Sequence, residues 1–89
     1  MTLVLQSDGK AIVGGFSSLG LSGPVFALAR YGTDGILDAS FGSGGKVVTD
    51  FGVSLAIVDV LLIQSDGKIV AVGGASNGAW SGAVARYTP

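Results

Sequence analysis

Six acids, all aspartate, hold most of the chemistry this sequence could perform: Asp8, Asp34, Asp38, Asp50, Asp59 and Asp66. Histidine, cysteine and glutamate are absent. No Ser-His-Asp or Cys-His arrangement can therefore form, and zinc sites rich in His or Cys are excluded. Asp34 and Asp38 stand close enough in sequence to suggest a carboxylate pair of the glycosidase kind, one acid protonating the leaving group and the other attacking or activating water. The plainer reading is structural. Asp34 precedes Gly35 in a turn, and Asp38 can cap nearby backbone N–H groups. Asp8 and Asp66 occupy the same place in two copies of one pentapeptide. A group required in every copy serves the fold rather than a single reaction centre. Neither Asp-Gly turn carries the alternating acids of an EF-hand. Residues 42–46 lack the Gly-Lys-Ser/Thr ending and the glycine spacing of phosphate-binding loops. The expectation is no catalytic residue, no metal and no cofactor.

The candidate ligand-binding residues are Asn77 and Trp80, the latter the only tryptophan. They fall in residues 75–82, which differ from the corresponding residues 16–24, and variable loops on a rigid scaffold are where binding resides. An exposed indole could stack on a sugar face or anchor a partner; a packed one would be a hydrophobic plug between repeats.

The scaffold that must position these residues is repetitive. Gln-Ser-Asp-Gly-Lys stands at residues 6–10 and again 58 residues later, at 64–68. Ala29-Arg30-Tyr31 returns as Ala85-Arg86-Tyr87. A period longer than a hairpin indicates a repeat architecture. Each Ser-Asp-Gly-Lys segment is flanked by apolar runs, and Asp-Gly supplies the positive backbone angles of a tight hairpin. Residues 3–6 should therefore pair with 10–14, and 57–64 with 68–72. A third strand over residues 25–31 repeats at 83–87. Alternation places Phe26, Leu28 and Arg30 on one face and Ala27, Ala29 and Tyr31 on the other. An arginine on a mostly apolar face should seek a carboxylate or turn carbonyls, tying the turns of its own repeat together. A glycine cluster precedes a fourth strand over residues 46–51. The apolar run 69–72 suits a strand covered on both faces. Residues 53–63 are rich in β-branched side chains and read as strand, with Asp59 the awkward member. Four short strands per period is the content of one propeller blade.

Composition agrees. Nearly half of the 89 residues are apolar (48%), only 12% are charged, and there are 16 glycines. That balance excludes disorder and points to many tight turns. The net charge is −1, and four of the five basic residues form two repeat-related pairs, so no nucleic-acid footprint exists. The longest apolar run, 53–63, is broken by Ser54 and Asp59 and reaches about half of a membrane span. The first residues show no basic start of a signal peptide.

These blocks together resemble the bacterial delta-60 repeat, a β-propeller family without an assigned activity. The resemblance rests on residues 6–10, on Phe-Ala-Leu-Ala-Arg-Tyr at 26–31, on Asp-Gly-Ile-Leu-Asp-Ala-Ser-Phe-Gly at 34–42 and on Gly-Gly-Lys-Val at 44–47. Val25 departs from an aspartate frequent in the family, and the second copy lacks the block found at 34–42. The resemblance implies an exported or surface-exposed bacterial protein, extracellular in location. The fold expected is all-β, made of four-stranded antiparallel propeller-type blades. It amounts to about one and a half blades, residues 1–52 and 53–89, incomplete alone. The role expected is a non-catalytic structural or interaction module whose partners are other copies of itself or neighbouring blades. The alternative is a carbohydrate-binding module using the loop around Asn77 and Trp80.

Overall fold

The computed structural model describes residues 1–17, 23–51, 53, 55–76 and 78–88. Within them the chain forms seven strands: β1 (Thr2–Leu5), β2 (Ala11–Ser17), β3 (Val25–Tyr31), β4 (Lys46–Thr49), β5 (Leu55–Ile63), β6 (Ile69–Ser76) and β7 (Trp80–Tyr87). They make two antiparallel sheets, one of four strands in the order β1-β2-β3-β4 and one of three in the order β5-β6-β7. This is the predicted count of one four-stranded blade and three strands of a second.

The two pentapeptides close the first hairpin of each sheet in the same way. Gly9 N–H donates to Gln6 O at 3.0 Å and Gln6 N–H to Lys10 O at 2.8 Å; Gly67 and Gln64 repeat this at 2.9 and 2.8 Å. Gly9 and Gly67 have φ of +88° and +85°, and among the described residues none other than glycine has a positive φ. The expectation that Asp and Gly together supply positive angles is thus corrected. Glycine takes the left-handed position, while aspartate acts through its side chain. The carboxylates of Asp8 and Asp66 each accept the N–H two residues ahead, from Lys10 and Lys68, at 3.0 Å.

Strand lengths differ from the sequence reading where a turn signal is missing. The β5–β6 ladder extends to Leu55↔Ser76, and β7 starts at Trp80, opposite Ser76. Most of the supposed loop 75–82 is therefore sheet. β4 stops at Thr49, two residues short of the expected end.

The register explains the place of Asp59. Val58 pairs with Gly73 and Val60 with Val72, leaving Asp59 as the extra residue of a β-bulge. The bulge keeps Asp59 exposed while Val58 and Leu61, on either side of it, both face inward and are buried. Gly73 permits the close approach. A Cβ there would run into the Ile57 carbonyl oxygen and would sit 3.0 Å from the Val58 Cα.

The sheets stack face to face. Ile12, Phe26 and Leu28 of the first sheet meet Ala56, Val58 and Leu61 of the second in one core. Small residues bring the layers close: a Cβ at Gly14 would lie 3.0 Å from Val58 Cγ1. Hydrogen bonds cross between the sheets, among them Ala56 N–H to Pro24 O at 2.8 Å and that between the Thr49 and Tyr87 hydroxyls at 2.6 Å. Phe26 also meets Phe51 edge to face, with ring centroids 4.9 Å apart.

Candidate functional site

The polar cluster built by the 34–42 block is the first place to look for chemistry. Arg30 leaves β3 toward the core and is only 7% exposed. Its Nε donates to Asp38 Oδ2 at 3.0 Å, its Nη2 donates to Ser40 Oγ at 3.2 Å, and its guanidinium lies 4.7 Å from the centre of the Phe41 ring. Lys10 Nζ reaches the same Asp38 oxygen at 2.9 Å. Asp38 Oδ1 accepts the Ser40 hydroxyl at 2.6 Å and the Ser40 N–H at 3.1 Å. These Ser40 and Lys10 hydrogen bonds hold the Asp38 carboxyl well below the usual carboxylate range. Both of its oxygens are already accepting hydrogen bonds.

Asp34 does not join it. Its Oδ1 accepts the Ile36 N–H at 3.0 Å, as a turn aspartate does. The two acids that a glycosidase reading would pair are therefore each committed to local backbone and to the Arg30 clamp. Among the described residues no three potential metal ligands converge. Gly42, Gly44 and Gly45 all have positive φ and shape the turn into β4. The prediction that Arg30 ties its own turns together is matched by this geometry. The part of Lys10 and of Phe41 was not foreseen, because neither is marked by spacing: the fold brings the first hairpin under the 34–42 loop.

Of the two ligand-binding candidates, Asn77 lies outside the described residues. Trp80 is not in a loop but is the first residue of β7, 62% exposed. Its ring lies across Gly74, where an added Cβ would be 2.8 Å from Cε3. Alternation puts Trp80 on the same face of the second sheet as Val84 and Arg86, away from the first sheet.

That outer face is apolar. Val60, Leu62, Trp80 and Val84 are exposed on it. The outer face of the first sheet is apolar as well, with Leu3, Leu5 and Val48 exposed around the small residues Gly15, Ala27 and Ala29. The small side chains leave a shallow depression of about 780 Å³.

The two outer faces are related by the repeat. Leu61, Ala83 and Ala85 face the first sheet; their counterparts are Leu3, Ala27 and Ala29 on the outer face of that sheet. Ile12, Leu28 and Arg30 face the second sheet; their counterparts Val70, Val84 and Arg86 lie on its outer face. Each exposed face thus carries counterparts of some residues of the buried contact, while buried Phe26 corresponds to Gly82.

The family described as a domain of unknown function (DUF5122) beta-propeller matches residues 6–41 and 64–89. These two stretches contain both copies of the pentapeptide turn and of the third strand. No curated protein and no solved structure matches the chain.

Proposed function

The chain belongs to the DUF5122 β-propeller family, and from that premise we propose that it is a non-catalytic interaction module. It stacks its two sheets head to tail against further copies of itself. The finer relationship to delta-60 repeats rests on the turn at residues 6–10 and the block at 34–42.

One observation carries the reading: the exposed faces carry repeat counterparts of residues on the two halves of the internal sheet contact, Leu3 for Leu61, Ala27 for Ala83, Val70 for Ile12 and Val84 for Leu28, although Gly82 stands where Phe26 does. A face that presents Val84 and Leu62 has the same chemistry as the one presenting Leu28 and Val4, and the latter is already seated on Leu61 and Ala83. The small side chains of Ala27 and Ala29 form a hollow matching that of Ala83 and Ala85, so Val84 of another copy has a place to go. Burying such faces is favourable at roughly 25 cal/mol per Å² of apolar surface, and unpartnered apolar faces of this extent mark interaction sites. The contact joins different faces, so it is heterologous and can build a ring.

The test uses two exposed substitutions, Leu3→Arg on the first sheet and Val84→Arg on the second, with mass measured by analytical ultracentrifugation. The unmodified chain should form assemblies larger than a dimer. Each variant alone should be a monomer, since every head-to-tail contact uses both faces. An equimolar mixture should give dimers and nothing larger, joined by the one intact face of each. A monomeric parent chain, or assembly abolished by only one of the two substitutions, would overturn the head-to-tail reading.

A second reading draws on the exposed indole of Trp80, which could receive the face of a sugar ring. Stacking of copies would cover that indole, so the readings compete for one residue. Binding of glycans by the Val84→Arg monomer, lost on Trp80→Ala, would favour the carbohydrate reading.

A further inference from the structure

Three turns of this chain carry Asp-Gly, and all three are built alike. Gly32-Thr33-Asp34-Gly35-Ile36 shares only that dipeptide with Gln-Ser-Asp-Gly-Lys. Yet Gly35 N–H donates to Gly32 O at 3.0 Å, Gly32 N–H donates to Ile36 O at 2.8 Å, and Asp34 Oδ1 accepts the Ile36 N–H at 3.0 Å. Gly9 with Gln6, and Gly67 with Gln64, make the same bonds, and Asp8 and Asp66 accept the same N–H. Gly35 has φ of +80°, beside +88° and +85° for Gly9 and Gly67.

Asp-Gly is also the dipeptide most open to one covalent change, because glycine has no side chain to shield its nitrogen. The glycine nitrogen attacks the aspartate Cγ. An N–Cγ bond forms, and a carboxyl oxygen leaves with two protons as water. The product is a five-membered succinimide ring, to which water adds back. Breaking the new N–Cγ bond restores aspartate. Breaking the original peptide bond instead leaves the main chain running through the side chain, as isoaspartate. Nothing is oxidised or reduced, and water is the one co-reactant.

In each folded turn both reacting groups are occupied, the glycine N–H by a carbonyl and the carboxylate by the N–H two residues ahead. Ring closure must wait for the turn to open, so its rate follows the free energy of local opening. That free energy depends on what each turn closes. The first turn closes the ladder from Leu5↔Ala11 to Thr2↔Gly14, and the third closes the ladder from Ile63↔Ile69 to Leu55↔Ser76. Among the described residues, the turn at 32–36 closes one isolated bridge, Tyr31↔Leu37, backed by the Asp38 N–H on Arg30 O at 2.8 Å. Gly9 is overlaid by Thr33, where an added Cβ would lie 3.0 Å from Cγ2, whereas nothing lies within 4 Å of the Cβ position at Gly35.

We propose that Asp34-Gly35 is a modification site, the place where the folded chain converts aspartate to isoaspartate. Asp8-Gly9 and Asp66-Gly67 carry the same dipeptide and are restrained by their ladders. The change bears on Arg30. Isoaspartate adds one atom to the main chain between residues 34 and 35. Residues 36–38 then lose their register on Tyr31 and Arg30, and Asp38 is drawn away from the guanidinium it now meets at 3.0 Å. The chemistry lies within one chain and does not depend on stacking of copies.

The experiment ages the 89-residue chain at mildly acidic pH, folded and in urea. Isoaspartate is measured by chromatography and mass spectrometry after trypsin, which puts Asp8, Asp34 and Asp66 in three separate peptides. In the folded chain Asp34 should convert about tenfold faster than Asp8 or Asp66, as easier local opening requires. In urea the three should convert at similar rates, since Ser or Thr precedes each. Asp38→Asn weakens the hold on the loop and should speed conversion at Asp34 while leaving Asp66 unchanged. The purified isoaspartate chain should melt at a lower temperature than its parent. Equal rates in the folded chain, or a preference for Asp34 that persists in urea, would overturn the site. A modified chain that melts like its parent, or an Asp38→Asn chain whose three sites respond alike, would overturn its link to Arg30.

Discussion

Arg30 shows how one side chain can organise a repeat. It is a charge on an otherwise apolar strand face, and burying it is tolerable only because Asp38, Ser40 and the Phe41 ring meet it at hydrogen-bond and cation–π distance. Arg30→Met should lower unfolding free energy by about 2–3 kcal/mol in urea denaturation, since it removes the buried guanidinium from Asp38 and Ser40 and its contact with the Phe41 ring. Arg86→Met should change it by less than about 0.5 kcal/mol, because Arg86 is exposed. The pair of measurements separates a role in the fold from mere presence in both copies. The pH dependence follows from the same cluster. The folded carboxyl of Asp38 is held below its unfolded value, so its stabilising effect is complete above about pH 4 and is lost as pH falls toward the lower, folded value. Burial pushes the Tyr87 hydroxyl up, against a smaller opposing effect of its hydrogen bond with Thr49. Its contribution is therefore intact below about pH 10 and fades as pH rises beyond that. Thermal melts across acid and alkaline ranges, compared with Asp38→Asn and Tyr87→Phe chains, check both limbs. The need of Arg30 for an acid was legible in the sequence, since a charge in an apolar strand demands one. That Asp38 would serve it, with Lys10 sharing the same oxygen, was not legible, because the three residues meet only after two turns have closed.

At the level of elements, the hairpins were read from composition and the bulge was not. Gln-Ser-Asp-Gly-Lys between apolar runs specifies a turn by local chemistry, and both copies adopt it. The strand ends near Trp80 were misplaced because Ser-Asn-Gly-Ala resembles any loop, while the ladder continues by cross-strand pairing up to Ser76↔Trp80. Asp59 was awkward because alternation was assumed to run unbroken; an inserted residue resets it. This gives a coupled prediction. Gly73→Ala should destabilise the chain by about 2 kcal/mol or more, since its Cβ meets the Ile57 carbonyl at the bulge. Deleting Asp59 should restore a regular ladder with the same residues facing inward, at little cost. The combined variant should recover much of the Gly73→Ala loss, and a double-mutant cycle by urea unfolding measures the coupling. Additive losses would show that the bulge and the glycine act separately.

For the molecule as a whole, the repeat is the governing fact. One blade leaves two apolar faces, and stacking two blades covers one of each and leaves the other two exposed. Those left over carry repeat counterparts of residues in the pair already in contact, Leu3 of Leu61 and Val84 of Leu28. Closure of a ring takes about 4 to 8 blades, and a head-to-tail contact is the kind that closes. The expected outcome is an assembly that dissociates on Leu3→Arg or Val84→Arg and re-forms as dimers when the two are mixed. The incompleteness of such a pair was legible from the period and the greasy composition. Which residues form each face was legible only in part, since strand parity on β5 depends on the bulge.

Local chemistry fixed the turns, the seven strands and the faces of β3, because hairpin type and side-chain alternation are properties of neighbouring residues. Tertiary structure alone decided that Asp38 accepts from Arg30, Lys10 and Ser40 together, that the Trp80 ring lies across Gly74 on an exposed sheet face, and that several residues of the exposed faces are repeat counterparts of buried ones. Those outcomes depend on contacts between segments far apart in sequence, and the spacing of residues along a chain does not encode the distance between two sheets.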